Sequence, residues 1–251
     1  MIILYLLGAL LGLLLLYILF LGICALLVDP GKDYARSSAF YRFLLESATT
    51  AAVKLLRIRV HLSGEEKLPK DQKLLFVCNH RSNFDPILTW YALKPWKIAF
   101  VSKPSNFKIP FFGRIIRKCC FLPIDRENPR NAIATIHKAA DLLKRQEVSI
   151  GIYPEGTRSK SCQLLLFRNG VFKIAQKAGA SVVVLTITGT ENISKRTPFR
   201  STDVYLDVLE VLEGEQIQNT QTVQIGTSVR RFMENNIRKR ERNDVKRICD
   251  L

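Results

Sequence analysis

The chain has 251 residues, enough for one domain with a substantial core, and 47% of them are hydrophobic. Its formal net charge is +16, and every charged side chain follows Val28, so the folded part is strongly basic and suited to anionic lipid headgroups or nucleic acid. Zinc-finger spacings and aromatic RNP patterns are missing, which excludes a nucleic-acid module, and Cys24, Cys78, Cys119, Cys120, Cys162 and Cys249 form no CxxC pair, so they read as reduced core residues of a cytoplasmic protein, not as a disulfide framework or metal site.

Residues 1–28 are apolar and uncharged, long enough as a helix to cross a hydrocarbon core of roughly 30 Å. No Lys or Arg precedes this run and no small-residue cleavage site ends it, so it reads as a retained anchor and not a signal peptide. Lys32, Arg36 and Arg42 follow it and put the rest of the chain on the cytoplasmic side. Residues 29–56 form a second unit, in which Phe40, Leu44, Ala48, Ala52 and Leu56 recur every four residues over Ser37–Leu56. That helix either packs on the domain or lies in the membrane interface.

Residues 57–251 form the third unit. Alternation over Arg57–Leu62 predicts a strand. Further strands are predicted at Lys73–Cys78, Lys97–Ser102, Cys119–Ile124, Val148–Tyr153, Ser181–Thr188 and Val204–Val211. Helices are predicted at Pro86–Lys94, Arg130–Gln146 and Val171–Lys177, and a docking helix from Thr227 with a charged, solvated end. Alternating strands and helices imply an α/β fold with a mixed, largely buried sheet flanked by helices, plus the N-terminal membrane helix.

Several strand exits carry chemistry. Asn79-His80-Arg81-Ser82-Asn83-Phe84-Asp85-Pro86 follows Lys73–Cys78. Pro86 favours the first position of a helix and keeps the residue before it out of the α region, so Asp85 is expected at the N-cap. The loop then turns Asp85 towards His80, fixing one imidazole nitrogen and leaving the other as a base. Taken alone, the pair reads equally well as a helix cap beside a loop histidine. Tyr153-Pro154-Glu155-Gly156-Thr157-Arg158-Ser159 follows Val148–Tyr153: Gly156 permits a tight turn, Arg158 offers a fork of donors for phosphate, and Glu155 is placed to orient that arginine or meet a substrate hydroxyl. Lys103 and Arg126 stand at two further strand exits, where ligands of α/β sheets usually bind. His61 and His137 have no such setting and read as structural.

Together these residues resemble the membrane-bound glycerolipid acyltransferases, most nearly the bacterial 1-acyl-glycerol-3-phosphate acyltransferases. Four ordered blocks carry the resemblance: Asn79–Asp85; Lys103 through Phe107-Lys108-Ile109-Pro110-Phe111-Phe112-Gly113 to Ile124-Asp125-Arg126-Glu127; Tyr153–Ser159 continued by Phe167-Arg168-Asn169-Gly170; and Val182-Val183-Val184-Leu185 leading to Gly189-Thr190. Val184 and Leu166 stand where that family usually carries proline. The resemblance implies that His80 is the base, oriented by Asp85, and that Lys103, Arg126 and Arg158 bind the substrate phosphate at a site shaped by Glu155, Gly156 and Thr157. It implies lysophosphatidic acid as acceptor and acyl-CoA or acyl-carrier protein as donor, contact with anionic membrane lipid, no nucleic acid, and neither cofactor nor metal. The competing readings are transfer to glycerol 3-phosphate or another lysophospholipid, a thioesterase, and a non-catalytic binder of anionic membranes.

Overall fold

A computed structural model describes residues 1–161 and 163–249, and the side chains of its last helix as far as Arg242. Helices α1 (Ile2–Leu26) and α2 (Ala39–Leu55) precede strand β1 (Ile58–Ser63). Strand β2 (Leu75–Cys78) leads to α3 (Asp85–Ala92), β3 (Ile98–Ser102) to α4 (Phe112–Lys118), β4 (Leu122–Pro123) to α5 (Pro129–Lys144), and β5 (Ser149–Ile152) to α6 (Lys173–Ala178). Then come β6 (Val182–Thr188), α7 (Ile193–Arg196), β7 (Thr202–Leu212), α8 (Gly214–Gln218) and α9 (Thr222–Cys249).

The strands form one seven-stranded sheet in the order β1-β7-β6-β2-β5-β3-β4. Only β6 and β7 pair antiparallel; the other neighbours are parallel. Every residue of β2, β5 and β6 is buried. Helices cover both faces of such strands, and this explains why they read as unbroken apolar runs and not as alternation. β1 alternates instead, as an edge strand with one face open to water. The parallel strands β2, β3, β4 and β5 therefore deliver their C-terminal ends to one rim of the sheet, where four of the sequence motifs emerge.

One expectation changes. The strand expected over Cys119–Ile124 shrinks to Leu122–Pro123. Cys119 instead ends α4, and Cys120 turns back with φ 63°, which breaks the extended run. α4 itself, only seven residues long, has no periodicity that a sequence reading would find. Cys24, Cys78, Cys119 and Cys120 are buried free thiols; Cys162, and the side chain of Cys249, lie outside the described residues. The charged end expected after α9's apolar stripe lies partly beyond Arg242 and so outside the described side chains.

Among the described residues, α1 is the one helix long and apolar enough to cross a membrane. Its C-terminal part is fastened to the domain. Tyr41 Oη donates to the Cys24 carbonyl at 2.9 Å, the Tyr17 and Ser47 hydroxyls meet at 2.8 Å, and Arg114 caps the Leu26 and Val28 carbonyls, each at 3.4 Å. Arg114 thus supplies donors that the C-terminus of α1 lacks. α2 packs one face on the domain and leaves apolar side chains exposed on another. Leu44, Leu45 and Val53 pack on the domain, worth roughly 1.5–3 kcal/mol each when fully buried, while Phe40, Phe43 and Leu55 stay exposed. Arg42 is not a surface charge: it is buried, stacked 4.6 Å from the Trp90 ring, and it donates to the Ile98 carbonyl.

Candidate active site

His80 stands just past the end of β2, in a loop fixed from two sides. The Asn79 amide locks onto β6, donating to the Ile187 carbonyl at 2.9 Å and accepting the Ile187 N–H at 2.7 Å. The His80 N–H donates to Glu155 Oε1 at 2.8 Å, and the His80 carbonyl accepts the Ser159 N–H at 2.8 Å. The exits of β2 and β5 thus hold each other in register.

The imidazole Nδ1 lies 2.7 Å from Asp85 Oδ2. A carboxylate only accepts, so Nδ1 donates and Nε2 is left as the acceptor. Asp85 is wholly buried, while 18% of the His80 side chain is exposed. Asp85 Oδ2 also accepts the N–H groups of Arg81 at 2.6 Å and Ser82 at 2.7 Å, and Oδ1 accepts the Thr190 hydroxyl at 2.6 Å. A buried carboxylate is costly unless its lone pairs are satisfied, and here four donors satisfy them. Phe84, not Asp85, occupies the N-cap position of α3; Asp85 is its first residue, with Pro86 beside it. Its carboxylate turns back onto the loop rather than capping its own helix. The face of the imidazole rests on Tyr153, with ring centroids 4.4 Å apart and planes inclined by 25°.

Glu155 does not orient Arg158. It is buried, and its two oxygens accept the His80 N–H and the Leu165 N–H, both at 2.8 Å. Burial pushes its carboxyl above the ordinary range, against the pull of those two N–H groups. Glu155 is therefore an internal strut joining three segments of the site.

Gly156 adopts φ 71°, a left-handed conformation that favours glycine, and a methyl group there would lie 2.9 Å from Arg168 Nε and 3.8 Å from Arg126 Nε. Two guanidiniums thus converge over a bare turn. Burial, then the neighbouring charge of Arg168, push the Arg126 guanidinium below its ordinary value. No ion pair neutralises either arginine among the described residues. An uncompensated pair of planar donor forks at a strand exit has the donor chemistry that suits a phosphate-sized dianion. Thr157 and Arg158 lie exposed at its rim, and Lys103, also exposed, opens the short helical turn Pro104–Lys108 after β3. Of the residues singled out from sequence, His80, Asp85, Glu155, Gly156 and Arg126 come together directly. Arg168, Tyr153 and Thr190 were not singled out as site residues; each occurs in a motif block, but only the folded register shows its contact.

An open cleft of about 650 Å³ lies at the opposite edge of the sheet, between β1, β7 and α9, and contains none of these residues. There Asp207 accepts from Ser63 Oγ at 2.6 Å, from Asn236 Nδ2 at 2.7 Å and from Arg240.

Comparison with known proteins gives a consistent result. The family model described as Acyltransferase matches residues 59–188. The chain is 28% identical over 173 residues to the 1-acyl-sn-glycerol-3-phosphate acyltransferase of Escherichia coli K12, which covers 69% of this chain and 70% of that protein. It is 30% identical over 182 residues to the protein of that name from Borreliella burgdorferi, covering 69% and 72%. A relative from Chlamydomonas reinhardtii is 35% identical over 136 residues, 54% of this chain; the match spans only 40% of that longer protein. The crystal structure of the 1-acyl-sn-glycerophosphate acyltransferase PlsC from Thermotoga maritima shares the fold, with a TM-score of 0.70 at 24% identity over 90% of this chain and 89% of that one.

Proposed function

This chain belongs to the acyltransferase family, and from that premise we propose that it moves an acyl group from a thioester, acyl-CoA or acyl-carrier protein, to the sn-2 hydroxyl of 1-acyl-glycerol 3-phosphate, giving phosphatidic acid. The observation that carries the reading is the conjunction of a base held in one tautomer by a buried carboxylate and an uncompensated Arg126–Arg168 pair across the Glu155–Gly156 turn. The first group suits a hydroxyl, and the second suits a phosphate on the same small molecule.

In this mechanism His80 Nε2 takes the hydroxyl proton as the oxygen attacks the thioester carbonyl. Asp85 stays ionised and steadies the imidazolium. The carbon–sulfur bond then breaks, and the imidazolium returns its proton to the thiolate, leaving an ester and a free thiol. General base catalysis of this kind contributes about 10²–10⁴-fold. Arg126 and Arg168 hold the phosphate, with Lys103, Thr157 and Arg158 at the rim. Gly156 keeps the turn bare, and Glu155 keeps it in place.

The apolar surface of α1 and the exposed Phe40, Phe43 and Leu55 of α2 seat the protein in a bilayer, where acceptor and product reside. Its cationic surface suits anionic headgroups on the cytoplasmic face. The test is transfer from labelled oleoyl-CoA to 1-acyl-glycerol 3-phosphate in detergent, with wild type and His80→Ala side by side. Phosphatidic acid from wild type alone supports the reading. No product from either protein, with CoA or carrier-protein donors, removes it.

A further inference from the structure

We propose that Arg230, on α9 and outside the residues the family model matches, is a positioning residue for the acceptor's phosphate; this rests on the reading above. Its guanidinium clamps two consecutive carbonyls of the loop that carries Arg168. Nη1 donates to the Leu165 carbonyl at 2.6 Å and Nη2 to the Leu164 carbonyl at 2.9 Å. Nε is taken by Glu234, one turn on, at 2.7 Å, and the guanidinium lies 5.6 Å from the Phe167 ring. An i,i+4 Arg–Glu pair on a helix surface ordinarily contributes little. Here the same arginine directs both terminal nitrogens to backbone far away in sequence, which a solvated surface pair has no reason to do.

The clamped residues are the ones the site depends on. Leu165, whose carbonyl Arg230 holds, donates its own N–H to Glu155 Oε2, and the other Glu155 oxygen holds the His80 N–H. A continuous path of hydrogen bonds therefore runs from α9 through Leu165 and Glu155 to the backbone of the base. Three residues after Leu165, the Arg168 N–H donates to the Pro154 carbonyl at 2.8 Å, and its guanidinium hangs over Gly156. One turn before Arg230, Gly226 lets Asn169 lie flush on the helix; a Cβ there would sit 2.1 Å from Asn169 Oδ1. α9 thus grips the loop at both ends, and Arg168 has little room to move between them.

The test combines kinetics with amide exchange on the full chain. Arg230→Ala is expected to raise the acceptor KM about tenfold or more, since displacement of a positioning group by about 1 Å can cost 10²-fold, while the thioester KM stays as in wild type. Arg230→Lys, which keeps the charge but offers no planar fork, should restore less than half of that loss. If Arg230 acts through Arg168, the Arg230→Ala and Arg168→Ala double variant will have the acceptor KM of Arg168→Ala alone. Effects that multiply, or an unchanged acceptor KM in Arg230→Ala, overturn the proposal. Should Arg230→Ala fail to fold, Arg230→Lys carries the same comparison. Amide exchange separates this idea from the reaction itself: residues 163–168 should exchange at least about tenfold faster in the variant, with the sheet unchanged. If wild type forms no phosphatidic acid the reaction falls, and unchanged exchange in this loop then overturns the clamp independently.

Discussion

Changing Asp85 to Asn keeps the shape of the buried orienting group and removes its charge. The consequence can be worked out from the four donors around it. Oδ2 receives the His80 Nδ1–H at 2.7 Å and two backbone N–H groups, at 2.6 and 2.7 Å; Oδ1 receives only the Thr190 hydroxyl. The two backbone donors cannot turn away, so asparagine must place its oxygen towards them and its NH₂ towards Thr190, whose hydroxyl can reverse and accept. His80 then keeps an acceptor and its tautomer. What disappears is the negative charge beside the imidazolium. Unit charges about 4 Å apart at an effective dielectric of about 20 interact by roughly 4 kcal/mol, and losing charge assistance from the hydrogen bond costs roughly 1 kcal/mol. Because local dipoles and solvent relax, 2–4 kcal/mol should survive, or about a 30- to 1,000-fold fall in kcat with little change in KM. Initial rates of phosphatidic acid formation measure it. A rate within twofold of wild type would mean that no imidazolium forms next to this residue. A loss as deep as that of His80→Ala would mean that the amide had turned its NH₂ to His80, and the pinning argument would be wrong.

Three further outcomes follow from geometry already described. Gly156→Ala forces a positive φ on a residue with a Cβ and pushes Arg168 aside, so acceptor KM should rise about tenfold or more, with a stability cost of roughly 1 kcal/mol; unchanged acceptor kinetics would detach the Arg126–Arg168 pair from binding. For Asp207, burial alone would raise the carboxyl, but hydrogen bonds from Arg240, Ser63 and Asn236 outweigh it and hold it below the ordinary range. A carboxyl lowered on folding stabilises the protein above its unfolded pKa of about 3.9 and loses that contribution as pH falls through the folded value. Asp207→Asn should therefore cost about 1–3 kcal/mol at neutral pH, and melting curves should show the gap to wild type narrowing as pH falls below about 3.9; a gap independent of pH would refute the assignment. Burial pushes the Cys119 and Cys120 thiols up to about 12, so neither should react with iodoacetamide at pH ~8 in the folded protein, where exposed thiols of pKa ~8.5 do. Peptide mapping that finds either residue alkylated while activity is intact would contradict their placement.

Much of the fold was legible because its central strands are buried on both faces. β2, β5 and β6 had to be apolar along their whole length, and their boundaries read to within one or two residues. β4 misled because composition shows that Cys119–Ile124 is apolar but not that Cys120 reverses the chain. The His80–Asp85 pair was legible because its members lie close together in sequence, just before a proline. Arg168, Thr190 and Arg230 are different. Each acts across a gap of 12 to more than 100 residues in sequence, so the relevant fact is the register between distant segments. Glu155 shows the same limit within a recognised motif. Its neighbour Arg158 is the obvious partner in sequence, but Gly156 turns the chain, and the carboxylate points to backbone contributed by His80 and Leu165.

The long separations within the site have a kinetic meaning. Asp85 waits for Thr190, 105 residues later, Asn79 for Ile187, 108 later, and His80 for Glu155, 75 later. Contacts this distant carry the loop-closure cost that slows folding. On the ribosome, the base and its carboxylate can meet soon after residue 85 emerges, yet nothing closes the second carboxylate oxygen until β6 has been made and docked. During refolding from denaturant, helical signal should therefore return well before the capacity to turn over substrate.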